Sequence, residues 1–230
     1  MAFPVMASYG VVIPAFNATA TIAETLRSVA AQTVQPDAII VVDDGSTDDT
    51  VAVVNSLGMP VQVLRQDNAG PGSATTRGIA ALATPFVATL DADDLWLPTK
   101  IERQLEHFER FPATAGVFAH WRTFRDDKPD VQQDVAVAGW SRTTMMIRRE
   151  VAEAVGPIID PQGGRGDMVD WIARVREAGF ALAMLDDVLT LRRIRPDSMS
   201  YGRDPVRDRG YVEVVRLAMQ RRAAKKASAD

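Results

Sequence analysis

Short apolar runs alternate with amphipathic segments through the first 90 residues of the chain. Four runs, at residues 9–13, 38–42, 61–64 and 86–90, have the length and apolar character of buried strands. Three segments with apolar residues at helical spacing separate these runs. The resulting β-α-β-α-β-α-β order predicts an α/β fold with a mainly parallel, Rossmann-like sheet and helices on both faces.

Local signals indicate where the helices between these strands begin and end. Thr21 and Glu24 have the spacing of a capping box at the start of the first helix. Gly58 and Pro60 close the second helix. A Gly-Pro-Gly turn at residues 70–72 leads into a third helix, which is rich in alanine.

The second half of the chain is less regular. Helical periodicity predicts helices at residues 100–111, 168–178 and 206–227, and apolar runs predict strands at residues 116–124, 181–185 and 188–194. The sequence contains no internal repeat, no low-complexity linker and no convincing domain boundary. We therefore expect one domain over residues 1–230.

Composition excludes several kinds of site. The chain has no cysteine, which rules out disulfides, zinc–thiolate centres and a cysteine nucleophile. It has no apolar run of about 18 residues and no basic, then apolar, signal peptide at its start. We therefore expect a cytoplasmic protein without a transmembrane segment.

Charge is distributed unevenly along the chain. The net charge is −4, yet residues 192–230 contain eleven basic and five acidic residues. This basic segment is either a solvated helix or a contact for phosphate, anionic lipid or an acidic partner. Aromatic residues are not interleaved with the basic ones, so we expect no nucleic-acid partner.

Three aspartates, Asp91, Asp93 and Asp94, directly follow the fourth apolar run. Adjacent carboxylates repel one another unless a cation joins them. Oxygen ligands suit Mg²⁺ or Mn²⁺, which keep coordination positions open for substrate phosphates. Alternatively, Asp93 or Asp94 caps the helix that follows.

A second acidic cluster, Asp43 and Asp44, follows the second apolar run. One interpretation is a strand-to-helix turn capped by Ser46, and the other is a carboxylate that accepts bonds from a nucleobase or ribose. The two interpretations are compatible. Ligands of parallel sheets bind at the carboxyl ends of the strands, so we expect both clusters at the ligand edge.

Other motifs fail on particular residues. A haloacid-dehalogenase phosphatase needs Thr or Val where this chain has Leu95, and an EF-hand needs Gly where it has Trp96. Neither a P-loop nor a dinucleotide fingerprint is present. The two histidines, His107 and His120, are too few for a histidine-based metal site.

Six segments, taken in order, carry a family resemblance. They are VVIPAFN at residues 11–17, VVDDGSTDDT at 41–50, NAGPG at 68–72, LDADD at 90–94, MIRRE at 146–150 with GD at 166–167, and RIRPDSMS at 193–200. Together they resemble the family 2 glycosyltransferases, which adopt the GT-A fold. The resemblance implies a nucleotide-sugar half at residues 1–97, an acceptor half at 98–200 and a basic C-terminal helix at 201–230.

The resemblance assigns the nucleotide to the first loops. Phe16 would stack on or flank the base, with Pro14 beside it in the opening motif. Asp44 would hold the base, and Asp43 would support it or the ribose. For Phe16, a place in the core is the alternative.

The resemblance assigns the ribose, the diphosphate and Mn²⁺ or Mg²⁺ to the Asp-x-Asp motif. Asp91 and Asp93 would meet the ribose and the metal, with Ala92 between them and Asp93 as the metal ligand. Arg195 stands where the family often has histidine, and it would clamp the diphosphate as a fixed cation.

For the chemical step, the resemblance implies an inverting displacement with Asp167 as general base. Trp96 and Trp171 would lie near the acceptor or the donor sugar. The alternatives are that Asp167 only caps a helix and that Trp171 only packs in the core.

The donor is expected to be a nucleoside-diphosphate sugar, by default a UDP-sugar. The acceptor is a small molecule, a peptide or a lipid-linked sugar, and the basic helix offers a peripheral membrane contact. Thr75 and Thr76 replace an Arg-Asn pair that many relatives carry. This departure keeps open a non-catalytic protein that binds nucleotide-sugars or a partner.

Overall fold

The computed structural model describes residues 8–126, 135–195, 202, 204–206 and 208–227. The strands in these residues are β1 (Tyr9–Ala15), β2 (Ala38–Asp43), β3 (Val61–Arg65), β4 (Phe86–Thr89), β5 (Leu95–Trp96), β6 (Thr114–Phe124), β7 (Val137–Gly139), β8 (Met146–Arg148) and β9 (Ala181–Arg193). The helices are α1 (Ile22–Ala30), α2 (Thr50–Ser56), α3 (Pro71–Ala81), α4 (Lys100–Arg110), α5 (Arg149–Val155), α6 (Asp167–Glu177) and α7 (Arg209–Ala227). A short 3₁₀ turn, Arg142–Thr144, precedes β8.

All of these strands belong to one sheet, in the order β3-β2-β1-β4-β8-β6-β9-β5, with β7 paired to β6. The pairs among β1, β2, β3 and β4 are parallel, as the alternating pattern predicts. Strand β8 joins this half to β6 through two antiparallel pairings. The sheet therefore places the carboxyl ends of β1, β2 and β4 at one edge.

Apolar side chains cover both faces of the sheet, which explains the near-continuous apolar runs. In β1, Val11 and Ile13 contribute to the core under α1, α2 and α4, whereas Val12 contributes to the core under α3, α5 and α6. Helix α3 lies very close to β1, because a Cβ at Gly78 would stand 2.3 Å from a methyl carbon of Val12. The absence of a side chain at Gly78 is what permits this close packing of α3 on β1.

Two local predictions were wrong. Thr21 is the residue before α1, but its side chain makes no capping bond, and Glu24 bonds to Arg193 instead. The two strands expected at residues 181–185 and 188–194 form the single strand β9, whose pairing with β6 shifts register around His120. A bulge of this kind breaks the polar–apolar pattern without ending the strand.

Near its own start, helix α7 contacts the loop that precedes α6. Further along, α7 contacts α6 itself. Arg221 donates to Asp170 and to Glu177, at 2.8 and 2.9 Å, and Glu213 accepts the main-chain N–H of Gln162 at 2.8 Å. Part of the basic charge of this segment is thus used inside the molecule. Within the described residues, no helix has both the length and the apolar character needed to cross a membrane.

Candidate active site

The loop that follows β4 carries Asp91, Asp93 and Asp94 and is anchored from α1. The hydroxyls of Thr21 and Thr25 donate to the carbonyl oxygen of Ala92, at 2.9 and 3.0 Å. Ala92 is itself buried, so its small side chain faces the interior. The two threonines therefore hold the middle of the Asp-x-Asp loop by its main chain.

The carboxylates of Asp91 and Asp94 are already bonded within the protein. Asp91 accepts the Nε–H of Arg142 at 3.0 Å and lies 3.1 Å from the hydroxyl of Thr143. Asp94 lies 2.6 Å from the same hydroxyl and accepts the main-chain N–H of Arg193 at 2.8 Å. These two aspartates therefore stabilise the loop, and Asp94 does not cap α4, which begins at Lys100.

Asp93 is half-buried beside its two acidic neighbours. Burial and then the charge of Asp91 raise the pKa of Asp93 above its ordinary value, while the charges of Arg195 and Arg193 act in the opposite direction. Asp94 is buried, and burial followed by the charges of Asp93 and Asp91 raises its pKa well above the ordinary value. The loop thus holds neighbouring carboxyl groups whose charged forms are disfavoured by burial and by one another.

The residues present fit a divalent cation bound at Asp93. Burial and then the charge of Asp91 disfavour the ionised form of Asp93, and a cation would offset both effects. Among the described residues, no group of three or more histidines, aspartates and glutamates is arranged to enclose a metal ion. An ion held by Asp93 would complete its coordination with water and the phosphates of a ligand, an arrangement common for Mg²⁺.

Asp167 is the first residue of α6 and is buried. Gly166, with φ of 107°, occupies the position before the helix, so Asp167 is not the capping residue. Its carboxylate instead pairs with the guanidinium of Arg142. The cap alternative is therefore wrong, and the structure brings Asp167 to the Asp-x-Asp loop through a shared arginine.

Arg142 is the residue that the sequence analysis missed. Burial alone would lower the pKa of its guanidinium, but the charges and hydrogen bonds of Asp91 and Asp167 raise it above the ordinary value. The partners lie 51 and 25 residues away in sequence. The short segment between β7 and β8 carries no periodic pattern that could have singled out Arg142.

The second acidic cluster, at the end of β2, is built differently. The Asp44 carboxylate accepts the side-chain amide of Gln66 at 2.7 Å and the main-chain N–H groups of Ala69 and Gly70, both at 2.9 Å. Asp43 accepts the main-chain N–H of Ser46 at 3.1 Å. Asp44 thereby fixes the loop that leads into α3.

The turn after Asp43 does not have the predicted cap. Helix α2 begins at Thr50, and the Ser46 hydroxyl instead accepts the main-chain N–H of Asn17 at 3.0 Å. Asn17 has a positive φ of 49°, and its side chain accepts the N–H of Thr47 at 2.9 Å. The loops after β1 and β2 are therefore bonded to each other. Beside them, a cavity of about 360 Å³ opens against Asp43 and Gln66.

Phe16 lies on this pair of loops with 52% of its surface exposed, so it is not a core residue. Pro14 is buried within β1, opposite Val42 of β2. An exposed aromatic ring at the carboxyl end of β1 is available to stack on a planar ligand.

Both tryptophans that were assigned to the acceptor side lie in the core. Trp96 is 3% exposed and donates to the carbonyl of Thr143 at 2.9 Å, with Lys100 over its ring. Trp171 is fully buried and donates to the carbonyl of Gly156 at 3.1 Å. In this structure neither buried ring offers a surface to an acceptor. Trp171 packs in the core, as the alternative interpretation expected.

Thr75 and Thr76, which stand in place of the Arg-Asn pair, make hydrogen bonds within the protein. Thr75 bonds to the carbonyl of Pro71 at 2.6 Å, and the Thr76 hydroxyl accepts the N–H of Ile158 at 2.9 Å. Asp160 accepts the N–H groups of Gly72 and Ser73, both at 2.8 Å, at the start of α3. The Asp160 carboxylate thus occupies the amino end of α3, where negative charge is favoured.

The family model for glycosyl transferase family 2 matches residues 10–161. The chain belongs to this family. An uncharacterized glycosyltransferase of a Nostoc species is 33% identical over 66% of this chain and 53% of its own length. The Escherichia coli UDP-Glc:alpha-D-GlcNAc-diphosphoundecaprenol beta-1,3-glucosyltransferase is 35% identical over 43% of this chain and 40% of its own length. The matches therefore span about half or less of these curated relatives.

Solved structures show that this family 2 chain has the GT-A fold. TarS 1–349 of Staphylococcus aureus, in complex with UDP-GlcNAc, has a TM-score of 0.73 at 19% identity, over 92% of this chain and 65% of that one. A mannosyltransferase of Pyrobaculum calidifontis, with GDP-Man and Mn²⁺, has a TM-score of 0.69 at 16% identity, over 85% and 59%. The predicted fold is confirmed.

Proposed function

We propose that this family 2 domain is an inverting glycosyltransferase that moves a sugar from a nucleoside-diphosphate sugar to an acceptor hydroxyl. The observation that carries the proposal is the buried Asp167 carboxylate, joined to the Asp-x-Asp loop by Arg142. Transfer with inversion needs a base on one side of the anomeric carbon and charge stabilisation on the other. Asp167 supplies the base, and the Asp91–Asp94 loop supplies the charge stabilisation.

The nucleotide is assigned to the loops after β1 and β2. Phe16 stacks on the base, and Asp43 and Asp44 lie beside it and the ribose, with Pro14 supporting the loop from β1. The exposed Phe16 ring, and a cavity of about 360 Å³ that Asp43 and Ser46 line, support this assignment. A UDP-sugar is the proposed donor, because the TarS complex holds UDP-GlcNAc and the E. coli relative is named for UDP-Glc.

The diphosphate is assigned to Asp93 and Arg195. A Mn²⁺ or Mg²⁺ ion at Asp93 would act as a Lewis acid that stabilises negative charge on the departing nucleoside diphosphate. Arg195 adds a fixed positive charge close to Asp93. This charge acts to lower the pKa of Asp93. Asp91 orients the loop toward the ribose.

In the chemical step, the acceptor hydroxyl attacks the anomeric carbon of the donor sugar. Asp167 takes the hydroxyl proton as the new carbon–oxygen bond forms. The bond between the anomeric carbon and the diphosphate oxygen breaks, and its electron pair leaves with the nucleotide. General-base help of this kind is worth about 10²–10⁴-fold in rate.

The first test is calorimetric titration with UDP, GDP, dTDP and CMP, each with and without Mn²⁺. We expect metal-dependent binding of one nucleotide, with UDP as the strongest candidate. Binding of none of the four would contradict the proposal and favour the non-catalytic alternative. A bound nucleotide then selects the donor sugars for a transfer assay against an acceptor panel.

The second test is Asp167→Asn. We expect nucleotide affinity within about threefold of the parent and a loss of transfer of at least about 10²-fold. Asp187→Asn is the matched control, since it removes an exposed carboxylate of β9 that pairs with Arg103. Turnover of Asp167→Asn within about tenfold of the parent would show that Asp167 is not the base.

A further inference from the structure

Arg142 is held firmly at both its side chain and its main chain. Its residue is 8% exposed, and its carbonyl oxygen accepts the hydroxyl of Thr89 at 2.7 Å and the N–H of Met145 at 3.0 Å. Thr89 is the last residue of β4, directly before the loop that carries Asp91. The guanidinium therefore starts from a main chain that is tied to the same strand end as the acidic loop.

The guanidinium divides its donors between the two carboxylates. Nε donates to Oδ1 of Asp91, and Nη1 donates to Oδ2 of Asp167. Because the guanidinium is planar and rigid, these two bonds fix the two carboxylates relative to each other. Arg142 takes one oxygen of Asp167, which leaves Oδ1 to receive a proton.

We propose that Arg142 is a positioning residue, which orients Asp167 for proton transfer. This inference rests on the proposed function, since it gives Asp167 the role of base. Arg142 touches neither the acceptor nor the anomeric carbon in this scheme. It acts through the angle and the position of the Asp167 carboxylate.

A merely structural arginine would affect stability and nucleotide binding along with turnover. A positioning arginine would lower kcat while the donor KM and the nucleotide Kd stay near the parent values, because misplacing a base affects only the chemical step. Lysine supplies a single point of charge without the planar fork. It would keep the charge balance of the site and lose the fixed geometry.

The experiment compares Arg142→Gln, Arg142→Lys and Arg148→Gln in the full chain. Arg148 is a matched control, because its guanidinium donates to the carbonyls of Thr114 and Pro112 and contacts neither Asp91 nor Asp167. We expect kcat to fall about 10²-fold in Arg142→Gln and about tenfold in Arg142→Lys, with donor KM and UDP Kd within about threefold. Arg148→Gln should keep kcat within about twofold.

A double variant separates positioning from other roles. When Asp167→Asn has removed the base, adding Arg142→Gln should lower residual turnover by less than about threefold, since there is no base left to orient. Equal losses in the two backgrounds would overturn the proposal. The double variant also removes opposite charges together, so it guards against unfolding of Arg142→Gln alone.

The outcomes distinguish this inference from the proposed function. If Asp167→Asn abolishes transfer but Arg142→Lys and Arg142→Gln leave kcat unchanged, the positioning role is wrong and the base assignment stands. If Asp167→Asn leaves transfer intact, the proposed function fails at Asp167. If Arg142→Gln does not fold, an unchanged kcat in Arg142→Lys still overturns the inference.

Discussion

Two pairs of adjacent aspartates follow buried parallel strands in this molecule, and their surroundings differ. Asp44, after β2, accepts three N–H groups from neutral donors, two of them main-chain groups. Asp93 and Asp94, after β4, crowd against a third carboxylate, and the charges of Arg195 and Arg193 partly offset that of Asp93. One sequence pattern therefore produces a carboxylate that neutral donors satisfy and a pair of carboxyl groups that like charges crowd.

The largest expected effect tests Asp93, in the pair that like charges crowd. Asp93→Asn should weaken Mn²⁺-dependent nucleotide binding by at least about 10²-fold, because a metal-binding charge is lost. Without metal, the variant should be at least as stable as the parent, since repulsion from Asp91 is removed. Calorimetry with Mn²⁺ and thermal unfolding in a chelator measure the two effects. Nucleotide affinity equal to the parent's would refute a metal site at Asp93.

Asp44, whose carboxylate accepts three neutral donors, should lose stability when it is changed to asparagine. Asp44→Asn replaces one of the two acceptor oxygens with an NH₂ group, so the side chain can no longer accept both the N–H of Ala69 and the N–H of Gly70, which bind different oxygens. Losing a buried bond to a charged acceptor costs about 2–3 kcal/mol, so the free energy of unfolding should fall by that amount. Urea unfolding without metal gives this value. A variant as stable as Asp93→Asn would remove the distinction between the two clusters.

The smallest effect concerns the loop beside Asp44. Burial acts to raise the pKa of Asp48, but the hydrogen bonds from Thr50 and Thr19 together outweigh it and lower the pKa from 3.8 to about 2. A carboxyl with a lowered pKa stabilises the fold above its ordinary pKa, and that stability is lost as the pH falls through its folded value. Asp48→Asn should therefore be slightly less stable than the parent at neutral pH.

Thermal unfolding from pH 6 to pH 2 tests this expectation, with Asp49→Asn as the neighbouring control. The difference between parent and Asp48→Asn should shrink as the pH falls from about 4 to about 2. A difference that stays constant over this range would mean that the charge of Asp48 is not what holds the loops after β1 and β2 together.

The parallel half of the fold could be predicted because its signals are local. Strands β1, β2 and β4 are apolar runs, β3 is a shorter segment with Val and Leu, and the order of these strands and the amphipathic segments fixes the topology. The predicted capping box at Thr21 failed for a tertiary reason. Its hydroxyl reaches Ala92, 71 residues away, and no pattern within a single helix encodes that contact.

The candidate site was predictable only as far as its motifs reach. Asp93 and Asp167 lie in motifs that the family resemblance covers, whereas Arg142 and Asp160 act through partners 25 to 88 residues distant. Trp96 and Trp171 were expected near the acceptor or the donor sugar, but both are buried in the core. An aromatic residue beside a motif need not face the ligand. Spacing identifies residue types, and only packing decides which side chains meet.

The contact between α7 and the loop before Asp167 has a consequence for the order of synthesis. Gly210 lies so close to this loop that a Cβ there would stand 2.0 Å from the carbonyl oxygen of Arg165, two residues before Asp167. On the ribosome, strands β1 to β4 leave the exit tunnel long before Gly210 does. The loop that carries Asp167 therefore acquires its contact with α7 only when the end of the chain emerges.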